Sequence, residues 1–386
     1  MRPEAIQLLS SAGLFGPAIM VPVILQEELG ANESAIGLIA GAFAAAGFIS
    51  SFTFGRASDV RGRRGILIGG LLLSGFATLL QVVSLFASDL KIFAVIRVLI
   101  GFSSGVFPAA LLAYAYDNTK GKMGKFSAWG AAGWGIGNLG LGALFWLQNP
   151  QEPQDLDLFY RVSYTLSALS IFLSFVVALR LPFTREVKMN VPLFPKALIK
   201  KNAAVYSAML IRHTGANMIW VTYPLFLESI NADMGWIGVI YAVNSFGQFF
   251  VMMALDKYDP SILVAVGLAS SAVTFYAFLM VGSFWEILPA QLLLAAAWGC
   301  LYVGSLRYVM DRNREKATAS GVLSSTMSIS GIIGPVIGGV AVTIFQFKGT
   351  IFIAMAMSIV ALAIFLAEMK RSGEFYRLRT HSRGFV

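Results

Sequence analysis

The sequence predicts an all-α integral membrane protein with twelve transmembrane helices, arranged as two pseudo-symmetric six-helix bundles. This prediction depends on the composition, the spacing of the apolar runs and an internal repeat. Of the 386 residues, 57% are hydrophobic and only 13% are charged, whereas soluble domains usually carry about 25% charged residues. A soluble chain of this composition would expose large apolar patches and aggregate. The bilayer is therefore the expected solvent.

Apolar runs long enough to cross a bilayer, which takes roughly 20 residues, occur twelve times. The first run is predicted to be a membrane helix, because it is too long for a signal peptide and no clear cleavage site follows. The predicted helices are 6–26, 35–55, 66–87, 91–114, 126–147, 162–181, 203–227, 236–255, 261–282, 286–310, 317–345 and 350–369.

Basic residues alternate between the predicted loops. Of the 29 Lys and Arg residues, 23 lie in even-numbered loops and the two tails, three in odd-numbered loops and three inside helices. The positive-inside rule then predicts that both termini are cytoplasmic. The net charge of +9 does not indicate nucleic-acid binding, because the basic residues lie in short loops between apolar runs.

The two halves of the chain resemble each other. Pro22 matches Pro224 at an offset of 202 residues, and Asp59 matches Asp256 at an offset of 197. Such drift suits small loop deletions in a duplicated six-helix unit, and transporters are often built from repeats. The predicted boundaries are an N-terminal bundle at 1–182, a cytoplasmic linker at 183–201, a C-terminal bundle at 202–369 and a basic cytoplasmic tail at 370–386.

A charged, glycine-containing segment lies between predicted helices 2 and 3. It runs from Gly55 to Arg64 and reads GRASDVRGRR. It resembles the GxLaDrxGRK signature of the major facilitator superfamily, with Ala57 in place of Leu and Val60 in place of the first basic residue. The resemblance covers the whole chain and implies the major facilitator fold. The branch that the chain resembles is that of twelve-helix drug/proton antiporter-like, multidrug efflux proteins.

The resemblance implies a conformational latch at this segment. In the family, the signature Asp and Arg form a charge cluster with an acid at the end of helix 4, where Asp117 stands in this sequence. The alternative is that these residues only set the topology. The second copy, near Asp256, is degenerate, so we expect the latch in one half. The predicted latch residues are Gly55, Asp59, Gly62, Arg63, Arg64 and Asp117.

Two glycine patterns resemble further family motifs. Helix 4 resembles an RxxxGxxxG pattern that is common in proton-coupled members. Helix 11 contains GPxxGG, an antiporter motif that the family places on helix 5, where Asn138 stands in the position of the proline. We expect these small faces to allow sliding between halves, and we favour an antiporter over a symporter or uniporter. The residues are Gly101, Gly105, Gly133, Gly137, Asn138, Gly334, Pro335, Gly338 and Gly339.

Charged residues inside predicted helices mark a candidate substrate cavity, because placing them in a bilayer costs roughly 2.5–3.5 kcal/mol. Arg212 and His213 lie near the midplane of helix 7, about 100° apart around the helix, and so are expected on different faces. The alternative for the polar set is helix–helix hydrogen bonding and aromatic packing. The predicted cavity residues are Arg97, Arg212, His213, Asn217, Trp220, Asn244, Gln248, Gln291, Trp298 and Tyr302.

The sequence predicts a secondary active transporter that moves a small, neutral or anionic amphipathic molecule by alternating access, with proton-coupled efflux favoured. No Asp or Glu falls at midplane depth, which argues against a strongly cationic substrate. The proton-coupling candidates are His213, Glu27 and Glu228. The alternatives are an importer or uniporter of a small metabolite anion, which would use Arg97 and Arg212, and a non-transporting sensor or lipid-handling protein.

Other classes of protein are not indicated. The sequence contains no nucleotide loop, nucleophile elbow or metal cluster, so we do not expect an enzyme, a cofactor or a bound metal. Cys300 is the only cysteine and cannot form an internal disulfide. The expected partners are a small-molecule substrate, protons and membrane lipids, with no nucleic acid. We expect a monomer in the cell membrane.

Overall fold

The computed structural model describes residues 3–150, 153–182, 189–220 and 223–371. In that part of the chain we label twelve long helices, and short helices at Lys196–Lys201 and Tyr223–Ser229 precede and follow the seventh. The long helices are α1 Pro3–Glu28, α2 Glu33–Arg61, α3 Arg63–Ala87, α4 Leu90–Asn118, α5 Met123–Gln148, α6 Pro153–Leu179, α7 Ala203–Trp220, α8 Met234–Met253, α9 Pro260–Met280, α10 Ile287–Asp311, α11 Lys316–Val342 and α12 Ile344–Arg371.

Ten of these helices are long and apolar enough to cross a membrane, among the residues described. The two exceptions are α5, which contains seven glycines, and α7, which contains Arg212 and His213. Both are helical over their described lengths and pack among the other helices. The predicted all-α membrane fold with two halves is confirmed, while the side on which the termini lie stays a prediction.

The same packing pattern occurs in both halves. In the N-terminal half, α1 packs on α5 and α6, α2 on α4, and α3 on α4 and α6. In the C-terminal half, α7 and α9 pack on the continuous α11–α12 segment, α8 packs on α10, and α9 packs on α10. The halves meet along two helix pairs, α2 with α11 and α5 with α8. This repetition is what a duplicated six-helix unit would produce.

Prolines interrupt two of the long helices in the N-terminal half. α1 contains a 3-10 turn at Pro17–Met20 and a π-turn at Ile24–Glu28. α4 is interrupted at Phe107, because Pro108 lacks the N–H that a continuous helix requires.

The two ends of the bundle differ in what they carry. We call the end with Asp59, Asp117 and the linker residues 189–201 the linker end, and the end with Glu27 and Glu228 the distal end. Because twelve helices alternate in direction, the described chain begins and ends at the linker end. Large apolar side chains such as Leu38 and Phe250, which are 74% and 71% exposed, cover the outside of the bundle. They face the bilayer.

The signature segment is not a loop. The predicted end of helix 2 at residue 55 was wrong, because α2 continues to Arg61 and buries Ser58 and Asp59. α3 then starts at Arg63, so Gly62 is the only residue between the two helices. Its φ of 108° is accessible to glycine and strained for other residues.

Candidate functional site

The carboxylate of Asp59 joins the two halves at the linker end. It is buried, and its Oδ2 accepts hydrogen bonds from the Thr318 backbone N–H at 2.7 Å and the Thr318 hydroxyl at 2.8 Å. Thr318 lies in the first turn of α11, where backbone N–H groups have no partner within the helix. A carboxylate at this position both caps α11 and interacts favourably with its dipole.

Arg63 links Asp59 to a second carboxylate in the same half. Its Nη1 lies 2.5 Å from Oδ2 of Asp117, and its Nη2 lies 3.8 Å from Oδ1 of Asp59. Arg64 is exposed at the start of α3. The structure therefore brings together Asp59, Arg63 and Asp117 and adds Thr318, which sequence reasoning missed. We call these four residues the α11 clasp.

Gly55 permits the close approach on which the α11 clasp depends. A Cβ at this position would lie 2.9 Å from the carbonyl oxygen of Ala317 and 3.0 Å from the Cα of Gly321. Both are backbone atoms of α11, so a larger residue would push α2 away from it. Small residues allow this kind of helix contact in membranes.

A second aspartate makes the equivalent contact in the other direction. Asp256, which follows α8, accepts hydrogen bonds from the backbone N–H groups of Gly124 at 2.7 Å and Lys125 at 3.0 Å. These two residues start α5. We call the three residues the α5 clasp. Sequence analysis expected such a contact in one half only, whereas the structure contains it in both. A carboxylate opposite a helix N-terminus suffices, and the remaining signature residues are not required for it.

Three aromatic side chains stack between α7 and α10. The His213 and Trp298 ring centroids are 5.1 Å apart, and those of Trp298 and Tyr302 are 5.5 Å apart, with interplanar angles of 22° in both pairs. All three side chains are half-buried. We call them the aromatic stack. Their partial exposure deep inside a helical bundle indicates that they line a space between the helices.

Arg212 lies beside the aromatic stack and is 1% exposed. Its Nε donates to Oγ of Ser271 on α9 at 2.9 Å, and its Cζ lies 5.5 Å from the Trp298 ring centroid. Its Nη2 is buried and has no hydrogen-bond partner. Arg212 and His213 leave α7 in different directions, as expected, yet both reach Trp298.

Three other predicted cavity residues form a buried network inside the C-terminal half. Gln248 Nε2 donates to Asn244 Oδ1 at 2.6 Å, and Asn244 Nδ2 donates to the Gln291 carbonyl at 3.0 Å. Gln291 Nε2 in turn donates to the Tyr223 hydroxyl at 2.5 Å. These residues hold α8 against α10. For them, the structure favours the alternative of hydrogen bonding between helices over lining a substrate cavity. Tyr223 sits in an apolar run, and no sequence signal distinguished it.

The remaining residues predicted on α7 lie toward the distal end. Asn217 is half-buried and donates to the His213 carbonyl of its own helix at 3.0 Å. Trp220 packs edge-on against Tyr223, with ring centroids 5.1 Å apart. Both side chains are partly exposed on the same helix as His213 and so extend its face.

Arg97 lies in the other half. It is 8% exposed, and its Cζ lies 4.6 Å from the ring centroid of Phe43 on α2. The buried Tyr164 hydroxyl on α6 lies near its guanidinium and forms no hydrogen bond with the described residues. Sequence reasoning missed both neighbours. The structure does not bring Arg97 into the aromatic stack.

The glycine motifs mostly pack helices within each half. A Cβ on Gly133 would lie 2.0 Å from the Leu8 carbonyl oxygen of α1, and one on Gly334 would lie 2.8 Å from the Thr214 carbonyl oxygen of α7. Gly101, Gly105, Gly137 and Gly338 likewise face neighbouring helices of their own half. Pro335 is buried and Gly339 is exposed. The expected sliding between halves is wrong for these six glycines, because they lie in the α1–α5, α2–α4 and α7–α11 contacts.

Asn138 differs from the glycines around it. It is fully buried where α5 meets α8, and a Cβ on Gly238 of α8 would lie 2.7 Å from its carbonyl oxygen. Neither atom of its side-chain amide has a hydrogen-bond partner. An unpaired buried amide costs about 1–3 kcal/mol, so this contact between the halves is destabilised by its own sequence.

The distal end carries acidic residues from both halves. Glu27 lies in the last turn of α1 and is exposed, while Glu228 is half-buried in the short helix that follows α7. Burial, and then the negative charge of Glu27, raise the pKa of Glu228 to about 7. Its carboxyl group can therefore gain and lose a proton near neutral pH.

Comparisons with known proteins cover nearly the whole chain. The family model described as Major Facilitator Superfamily matches residues 5–203 and 205–380. An uncharacterized MFS-type transporter of Methanocaldococcus jannaschii is 24% identical over 84% of this chain and 86% of its own length. The quinolone resistance protein NorA of Staphylococcus aureus is 23% identical over 92% of each chain. The crystal structure of the human organic anion transporter MFSD10 superposes with a TM-score of 0.71 and 14% identity, covering 94% of this chain and 98% of the other.

Proposed function

The chain belongs to the Major Facilitator Superfamily and is a multi-pass membrane transporter rather than an enzyme, and from this premise we propose that it exports planar amphipathic molecules in exchange for protons. The observation that carries this proposal is the aromatic stack. Its flat faces suit a planar aromatic substrate, since offset-stacked rings contribute about 0.5–1.5 kcal/mol beyond the area they bury.

The charges around the aromatic stack favour a neutral or anionic substrate. The guanidinium of Arg212 lies beside Trp298 and has an unpartnered Nη2. In the sequence, no Asp or Glu lies near the middle of a predicted membrane helix. A relative that aligns with 92% of this chain is named a quinolone resistance protein, and quinolones are planar aromatic molecules. Resistance to a drug is what export of that drug provides to a cell.

Alternating access would use the clasps at the linker end. With the α11 clasp and the α5 clasp formed, α2 is fixed to α11 and α5 to α8 at that end. We take the linker end as cytoplasmic, in line with the basic residues in the loops there. Breaking both clasps would then admit substrate from the cytoplasm, and re-forming them would direct it outward.

The proton is assigned to His213 and Glu228. His213 belongs to the aromatic stack, so a change in its charge would act directly on a stacked substrate. Glu228 has a pKa raised to about 7 and lies at the distal end, where protons would enter. Glu27 is exposed beside it and contributes through its negative charge.

Transport in vesicles with an imposed pH gradient tests the proposal. A panel of planar neutral, anionic and cationic compounds is first screened by thermal stabilisation of the purified protein, and the strongest ligand is used for transport. We expect His213→Ala to abolish or uncouple transport and Trp298→Ala to lower ligand affinity about tenfold, the effect of about 1.4 kcal/mol. Phe250→Ala, on the lipid-facing side, is the control and should behave as wild type. Wild-type coupling in His213→Ala would refute the role of His213.

A second candidate is uptake or facilitated passage of a small metabolite anion. The unpartnered Nη2 of Arg212 and the burial of Arg97 favour it. Vesicles of both orientations distinguish the two functions. Export predicts substrate accumulation only in inside-out vesicles with an acidic interior, whereas a uniporter equilibrates the anion in both orientations without a gradient.

A further inference from the structure

We propose that an anionic phospholipid binds in a pocket between α2 and the linker, at the linker end of the bundle. This site is separate from the aromatic stack and from the substrate pathway. The pocket has a basic side and an apolar side. We call it the lipid pocket, and its defining residues are Phe52, Phe54, Arg56, Val60, Arg61 and Leu193.

The linker is bound to α2 at this point. Arg56 Nε donates to the carbonyl oxygens of Val191 at 2.9 Å and Pro192 at 3.0 Å. The backbone N–H of Met189 donates to the Asp59 carbonyl at 3.0 Å. The Phe194 ring centroid lies 5.9 Å from that of Phe52. These contacts form a wall on one side of the lipid pocket.

The basic side of the lipid pocket suits a phosphate group. Arg61 is exposed, and Arg56 uses its Nε for the linker, so within the described part of the chain its two terminal nitrogens are left for an anion. The nearest carboxylate in sequence, that of Asp59, is directed away into the α11 clasp. Arginine binds phosphate through parallel N–H donors, and it pairs with phosphates more specifically than lysine does.

The apolar side of the lipid pocket would stay exposed to water if the occupant were an anion without an apolar part. Leu193 is 72% exposed and Phe194 is 56% exposed. Val60 and Phe54 of α2 are half-buried and also line the pocket. The pocket lies where α2 leaves the apolar layer of the bilayer. An occupant with a phosphate and an acyl chain covers both sides at once, whereas a soluble phosphate or nucleotide would leave Leu193 in water.

Occupancy of the lipid pocket would favour the clasped arrangement. The lipid would hold the linker on the last turns of α2, the helix that carries Asp59. Anionic lipid would therefore fix the position of the Asp59 carboxylate opposite the first turn of α11. The membrane composition would then affect how long the linker end stays closed.

The test measures binding of phosphatidylglycerol to the purified full-length protein by native mass spectrometry, with phosphatidylcholine as the zwitterionic reference. We expect saturable binding of phosphatidylglycerol. Arg56→Gln with Arg61→Gln should weaken it roughly 30-fold, because each basic residue at an anionic membrane contributes about 1 kcal/mol. Lys120→Gln with Lys122→Gln removes the same charge at exposed positions outside the pocket and should leave the affinity unchanged. Equal losses in the two double variants would overturn the proposal.

Three further variants and one soluble probe keep the result interpretable. Arg61 does not bind the linker in the described structure, so Arg61→Gln alone should leave the linker in place and still weaken phosphatidylglycerol binding about fivefold. Arg56→Lys keeps the charge but loses the fixed donation to the two carbonyls, so lipid binding should persist. Leu193→Ala should weaken binding of the whole lipid. Soluble glycerol phosphate should not compete at equal concentration, and full competition by it would show an anion site without a lipid.

Discussion

The α11 clasp and the α5 clasp are equivalent in position and different in chemistry. Both place an aspartate at the end of the second helix of a half, Asp59 in the last turn of α2 and Asp256 just after α8, against the first turn of the fifth helix of the other half. In the α11 clasp the carboxylate is fully buried and shares Arg63 with Asp117. In the α5 clasp Asp256 is half-buried and bonds to two backbone N–H groups.

The difference shows which part of the family signature forms the joint itself. The shared element is a carboxylate capping a helix from the opposite half. Arg63 is present in one half only. It stands four residues after Asp59, whereas the residue four positions after Asp256 is Pro260. Asp311, the counterpart of Asp117, instead accepts a hydrogen bond from the Tyr116 hydroxyl across the halves at 2.6 Å. One half fixes its clasp by charge and the other by neutral donors.

The largest expected effect is that of Asp59→Ala. This change leaves the N–H and hydroxyl of Thr318 buried without an acceptor, at about 1–3 kcal/mol for each group. We expect the linker end to open and transport to fall at least tenfold. Spin labels at Lys122 and Arg314, in a Cys300→Ser background, report the separation of the halves. Asp59→Asn keeps an acceptor oxygen and serves as the milder control, so an equal opening in both variants would contradict the capping role.

Asp256→Ala should have a smaller effect. The Gly124 N–H that it leaves is partly buried and the Lys125 N–H is exposed, and loss of such a cap costs about 0.5–2 kcal/mol. We expect partial opening in the same spin-label measurement. An opening as large as that of Asp59→Ala would show that burial does not distinguish the two clasps.

The ion pair between Arg63 and Asp117 should contribute less again. Asp117 has 48% of its side chain exposed, and exposed pairs usually contribute 0.2–1 kcal/mol. A double-mutant cycle with Arg63→Gln and Asp117→Asn, followed by thermal unfolding, measures the coupling. It should decrease as the salt concentration rises, because exposed charges are screened. A coupling unaffected by salt would contradict this assignment.

The smallest expected effect lies at the distal end, away from the two clasps, and concerns how the stability of the protein depends on pH through Glu228. Because the pKa of Glu228 is raised to about 7 in the folded protein, the folded state binds its proton more tightly than the unfolded state. The contribution of Glu228 to stability is therefore present at low pH and is lost as pH rises toward 7. Between pH 5 and pH 8, wild type should lose melting temperature relative to Glu228→Gln. Parallel curves would show that Glu228 does not titrate in this range.

Sequence alone predicts much of this fold because the bilayer demands long apolar helices and the family signature identifies their arrangement. The grouping of Asp59, Arg63 and Asp117 could be expected from that signature. Thr318 could not, because its role depends on where α11 begins and on which helix of the other half lies opposite. The same holds for Gly124 and Lys125, whose contribution is a backbone N–H and leaves no side-chain signal.

The polar residues inside the helices were harder to assign. The stack of His213, Trp298 and Tyr302 needed the relative rotation of α7 and α10, which helical periodicity does not supply. Asn244 and Gln248 stand four residues apart, a spacing equally compatible with lining a cavity and with holding two helices together. The structure distinguishes these uses through the acceptor that each amide finds.

The unpaired amide of Asn138 makes the contact between α5 and α8 less stable than its packing alone would allow. Replacing an unpaired buried amide by an apolar residue of similar shape, as in Asn138→Leu, should remove a local cost of about 1–3 kcal/mol. The resulting protein would melt at a higher temperature and cycle more slowly, because a two-state equilibrium responds to a ligand only when its states are close in energy. Evolution can therefore exchange thermal robustness for turnover at this single position.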